Sequence, residues 1–214
     1  MTEVQNPLAA AYKVGVGSET RLRSDETRGL VVAQNQAGYY ESTNQGSSWT
    51  ISTAIAGIST TALFTVSTAS AIPIVGVFNP ANTGLNLSIQ RAIVIQTTGT
   101  AVTSFVWGVV AASTMASTDG VATGINNKSF VTGGHTARAF AGATAMVGTP
   151  KFYRVLGGVW AGAFNAAAQS TYRDDVDGEI VVKPGCFAGV FATSTTVENI
   201  VRASLSWAEV PTNG

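Results

Sequence analysis

The regular alternation of apolar and polar positions is clearest near the C-terminal end of the chain. From Ile200 to Glu209, Val201, Ala203, Leu205 and Trp207 fall on one face, with Arg202, Ser204 and Ser206 on the other. A half-buried antiparallel strand requires this period of two. The segment before it differs: Phe187, Gly189 and Phe191 alternate with Cys186, Ala188 and Val190, so Cys186–Ala192 has no polar face. Such a strand is covered on both sides. One cover is the opposing sheet, and the other is expected to be a second copy of the chain. That places Phe187, Val190 and Phe191 at an oligomer interface, together with Phe105 and Trp107 from the similar run at 102–112.

Earlier segments give the same kind of signal. Over Leu85–Thr97, Leu87, Ile89, Ile93 and Ile95 share one face, opposite Asn86, Ser88, Gln90 and Gln96. Arg91 intrudes on the apolar face. A buried guanidinium needs a partner, so the strand is expected to bend there or to emerge at a subunit seam. A hairpin across Thr97–Ala101 is expected to join it to the next strand. Before it, Asn79-Pro80-Ala81-Asn82-Thr83-Gly84 is a turn signal, with proline fixing one dihedral and glycine supplying a positive one.

Shorter strand-like runs lie at 49–55, 61–67, 73–78, 137–145 and 151–164, the last with a bulge expected at Gly157-Gly158. Glu179–Lys183 reads as a strand that kinks at Pro184-Gly185, and 165–177 as a polar connection. About eight or nine short strands divided by turns predict an all-β fold, an antiparallel jelly-roll β-sandwich over residues 37–214. Residues 1–36 gather charge without a core of their own and read as an extended N-terminal arm. Within it, Arg21, Leu22, Arg23, Arg28 and Leu30 are the expected attachment residues.

Composition narrows the function. Only 11% of the 214 residues are charged, and the formal net charge is zero. An ordinary soluble domain carries roughly 25% charge. A nucleic-acid partner or an anionic membrane is therefore not expected. No uninterrupted apolar stretch offers the ~20 residues of a membrane helix. The first residues lack the layout of a signal peptide, which predicts synthesis in the cytoplasm.

One cysteine, Cys186, leaves no intrachain disulfide or cysteine-based zinc site, and it reads as a small core residue. The single histidine, His135, lies in a glycine-rich loop and reads as solvent-facing. No G-x-S-x-G elbow accompanies it, and no enzyme activity is expected. The one acidic cluster, Arg173–Glu179, supplies Asp174, Asp175 and Asp177 as the nearest approach to metal ligands. An EF-hand frame puts Arg173 at the first ligand position and Pro184 at the twelfth, so a solvated turn without metal is preferred. No cofactor is expected. Trp49, Trp107, Trp160 and Trp207 read as core residues rather than a sugar-stacking platform.

Two stretches carry a resemblance. Gly38-Tyr-Tyr-Glu-Ser-Thr-Asn-Gln-Gly46 and Asn79-Pro-Ala-Asn-Thr-Gly-Leu-Asn-Leu-Ser-Ile-Gln90 resemble a family of tailed-phage virion proteins, with a "GxYYE…G" opening and an "NP…sGxNLxI" turn and strand. The closing strands also resemble those of trimeric jelly rolls of the tumour-necrosis-factor and complement-C1q type. The resemblance implies a capsid decoration (cement) or head-fibre component, non-enzymatic and homotrimeric. It implies attachment to the major capsid protein at the virion surface, with affinity from buried area repeated over symmetric copies. Two alternatives stand beside it: a carbohydrate- or receptor-binding jelly-roll module of a phage tail or fibre, and a jelly-roll capsid protein.

Overall fold

The computed structural model describes residues 23–24, 30–31, 39–59, 72–98, 104–111, 122–142, 148–158, 170–193 and 200–212. The chain divides into two units, Met1–Ala37 and Gly38–Gly214. In the first, β1 (Arg23–Ser24) pairs antiparallel with β2 (Leu30–Val31), Arg23 opposite Val31 and Ser24 opposite Leu30. Two of the expected attachment residues, Arg23 and Leu30, thus lie on this short ladder. Arg21, Leu22 and Arg28 lie outside the described residues.

The second unit is an antiparallel all-β sandwich. A short helix, α1 (Tyr40–Asn44), precedes β3 (Ser48–Ser52), β4 (Ile58–Ser59), β5 (Val75–Phe78), β6 (Leu85–Thr98) and β7 (Ser104–Val110). After these come β8 (Ile125–Asn126), β9 (Arg138–Phe140), β10 (Lys151–Gly158), β11 (Ser170–Asp175), β12 (Val181–Val182), β13 (Phe187–Ala192) and β14 (Ile200–Pro211). One sheet has five strands in the order β10-β7-β13-β5-β9. The other runs β11-β6-β14-β3-β8, with β12 paired to β6 and β4 to β14. The run at 61–67 and Trp160 lie outside the described residues.

β14 keeps the alternation expected of it: Val201, Ala203, Leu205 and Trp207 are buried, while Arg202 is exposed and Ser204 and Ser206 are half-buried. Its neighbour β6 does not. Arg91 faces Ser206 and Ile89 faces Trp207, so Gln90 is an extra residue on β6. A bulge of this kind changes which face the following side chains take. Leu87 and Ile89 point inward before it, and Ala92, Val94 and Gln96 after it, so Ile93 and Ile95 turn outward, half-buried. The single apolar face expected through Ile95 is corrected accordingly. Arg91 comes out beside the acidic turn.

One connection also differs from expectation. β6 and β7 belong to different sheets, so the chain between them crosses the sandwich instead of closing a hairpin. β13 and β14 are likewise divided between the sheets. The physical reason is burial. β7 and β13 are apolar on both faces and pair with each other, from Phe187 opposite Val110 to Ala192 opposite Phe105. β6 and β14 each present a partly polar outer face, and they pair along their length.

All six residues of β13 are buried, and this corrects the interface expected there. Val190, Phe105 and Trp107 point into the space between the sheets and are fully covered. Phe187 and Phe191 point the other way and join Phe78, Val106, Val110 and Phe140 in a second buried cluster. Gly189 sits between Gly76 on β5 and Gly108 on β7, which leaves a bare row of backbone across three strands. The Phe187 ring lies over that row: a Cβ built on Gly76 would come within 2.5 Å of it, and one on Gly189 within 2.6 Å. Phe140 and Phe191 meet Phe187 edge-on at 5.5 and 6.1 Å. None of the five side chains expected at an oligomer interface is open to a second molecule.

Candidate functional site

The acidic turn sits where one edge of each sheet meets the other. Asp174 on β11 points inward, where the Trp107 indole Nε1 donates to its Oδ2 at 2.7 Å and Arg154 Nη2 on β10 donates at 2.8 Å. Arg154 also pairs with Glu179. Asp175, the next residue, faces the opposite way and accepts from Arg91 Nε and Arg173 Nε, both at 2.7 Å. The hydrogen bond from Arg173, then that from Arg91, holds its carboxyl below the usual carboxylate range. Asp177, at φ 50°, takes the Tyr39 hydroxyl.

Each of the three candidate metal ligands is therefore engaged by an arginine, an indole or a phenol, and Asp174 and Asp175 sit on opposite faces of one strand. Among the described residues no group of His, Cys, Asp and Glu is placed to hold a metal ion. The cluster fastens the two sheets together. The Tyr172 ring closes the same edge against Phe105 at 5.4 Å, directly over Gly157.

His135 is not the solvent-facing residue expected. Its Nδ1 donates to the Ala137 carbonyl at 2.7 Å and its Nε2 accepts from the Gly124 amide at 2.9 Å. The ring meets Trp49 and Trp207 edge-on, and those two indoles stack at 6.5 Å. Next to it, the buried Glu209 carboxylate accepts from the Thr136 and Ala137 amides. Neither nitrogen is left to activate a nucleophile. Cys186 is half-buried against the core.

The two stretches that carry the phage resemblance have structural work that the sequence did not reveal. The Tyr39 hydroxyl lies 3.0 Å from the Gln90 carbonyl as well as against Asp177. Burial, with the Asp177 carboxylate second, pushes that hydroxyl up to about 12. The Gln90 side chain donates to Ser42 Oγ and accepts from Ser48 Oγ, each at 3.0 Å. The first motif thus grips the bulge in the second. Asn79 is wholly buried, its amide donating to the Leu85 and Val182 carbonyls at 2.7 and 2.9 Å while its oxygen accepts from Thr83.

Several large apolar side chains face outward among polar ones. Phe152, Tyr153 and Val155 are exposed on the edge strand β10. Phe130 and Val131 project from the loop after β8. A cleft of about 300 Å³ opens on the outer face of the larger sheet, between Ile55, Ile93, Ile95 and Arg202. No helix among the described residues is long and apolar enough to cross a membrane. Comparison with known proteins finds no matching family model, no matching curated protein and no matching solved structure.

Proposed function

We propose that the chain is a non-enzymatic structural protein of a phage virion, a capsid decoration (cement) protein. In this reading it is made in the host cytoplasm, associates with copies of itself as a homotrimer, and binds the major capsid protein at the capsid surface. Its connectivity is that of a jelly roll, and it needs no cofactor.

One observation carries the reading: the acidic turn and His135 are engaged within the sandwich, and several large apolar side chains stand exposed among the polar ones of its surface. The carboxylates of the acidic turn hold arginines, Trp107 and Tyr39, and His135 holds backbone. Phe130, Phe152, Val155 and Ile55 stand exposed. A surface of that kind binds by buried area, and many weak copies on a lattice add up to firm attachment. The resemblance of the two motifs, Gly38–Gly46 and Asn79–Gln90, to phage virion proteins is the second ground for it.

The carbohydrate-binding alternative is less favoured, since Trp49, Trp107 and Trp207 are buried and cannot stack on a sugar. The test is to mix purified protein with capsids stripped of their decoration and to sediment them. Saturable binding, with capsids that then resist heat or chaotrope longer, is the expected result. Protein that stays in the supernatant at all concentrations overturns the proposal.

A further inference from the structure

We infer that residues 39–45, which carry α1, form a strap that lifts off the larger sheet while the sandwich beneath it stays folded. Such a device needs no capsid and holds whether or not the protein decorates one.

What fastens the strap is polar. The Tyr39 hydroxyl lies 3.0 Å from the Gln90 carbonyl and against Asp177. Ser42 Oγ accepts from Gln90 Nε2 at 3.0 Å, and Lys128 Nζ donates to the Asn44 carbonyl at 2.5 Å. Tyr39, Ser42 and Thr43 are half-buried, while Tyr40, Asn44 and Gln45 are exposed. None of these six belongs to either buried apolar cluster. A helix of one turn is not stable in water by itself, so α1 persists only while these contacts hold it down.

The seat under the strap is polar too. Gln90 and Ser48 are buried there, and Ser48 Oγ donates to Gln90 Oε1 at 3.0 Å while accepting from Asn127 Nδ2 at 2.7 Å. Lifting the strap gives these groups to water and strands no apolar face. A segment with so few buried apolar contacts is the kind that opens below the global transition. The opening also has a defined end. Gly46 takes φ 74°, and its carbonyl accepts from Asn126 Nδ2 at 2.7 Å; next to it, the Ser47 carbonyl accepts from the Glu209 amide at 2.8 Å. The strap therefore swings about Gly46, and β3 keeps its place. Freed and extended, residues 39–45 span on the order of 20 Å, a length that the chain before them gains.

Native-state proteolysis of the full chain with dilute chymotrypsin, followed by intact mass, tests this. At low protease the rate of each cut follows the population of its open form. Cleavage after Tyr39 or Tyr40 should run at least about a hundredfold faster than any cut inside the sandwich, such as after Phe187. The large fragment should still unfold in one cooperative step. Tyr39→Phe removes the hydroxyl but keeps a chymotrypsin site, and it should speed the cut after residue 39 or 40 at least tenfold. An unchanged rate in that variant would mean that α1 merely frays in place, and it overturns the strap. So does a cut that proceeds no faster than those inside the sandwich, because the segment would then open only when the whole sandwich does.

Discussion

Gln96 is fully buried on β6, and neither atom of its amide has a hydrogen-bond partner in the structure. An unsatisfied buried polar group costs about 1–3 kcal/mol, while an apolar residue of similar shape avoids the loss. Gln96→Leu is therefore expected to raise the stability by about 1 kcal/mol or more in urea unfolding; a loss of stability would refute the assignment. Tyr39 predicts a pH effect of definite sign. Its hydroxyl is raised from 10.0 to about 12 in the folded chain, so the stabilisation is fully present below pH 10 and disappears as pH rises through about 12. Tyr39→Phe should flatten the dependence of the melting temperature on pH across that window. These roles were hidden in the sequence because Gln96 and Gln90 looked alike as polar positions on one face. A single extra residue at Gln90 sends the first into the core and makes the second the anchor of Tyr39 and Ser42.

At the scale of elements, Gly76 on β5 and Gly189 on β13 leave the space that the Phe187 ring fills. Gly189→Val would force side-chain atoms into a ring that a Cβ alone already approaches at 2.6 Å, with the Val75 carbonyl at 2.9 Å. Overpacking of this kind costs about 1–3 kcal/mol. Loss of that order, measured as an earlier denaturant midpoint, is expected, and an unchanged midpoint would mean that the ring swings aside freely.

The sequence made β14 legible to the residue, because one face of that strand meets solvent and its period of two survives. β13 was legible as a strand buried on both sides. What buries it was not, since rings contributed from β5, β9 and β13 itself meet only after folding. β11 was read as a polar connection. Its alternation is present, but its inward position at Asp174 is a carboxylate that Trp107 and Arg154 satisfy, and no pattern of hydrophobicity marks such a residue.

For the molecule as a whole, the division at Ala37 separates a charge-rich segment from the sandwich. Removing residues 1–37 is expected to leave the cooperative unfolding of the remainder intact while weakening its sedimentation with capsids at least tenfold. A truncated chain that no longer folds would make the segment part of the core. A truncated chain that binds as well as before would show that the exposed side chains of the sandwich suffice for attachment and that the segment adds nothing to it.

The bare backbone beneath Phe187 has a consequence for how the protein breathes. The Gly189 amide lies in a strand with neighbours on both sides and an aromatic roof above. Solvent deuterium can reach it only when the sheet itself comes apart, so its exchange rate should track global opening rather than local fraying. That one amide would serve as a clock for the lifetime of the folded state.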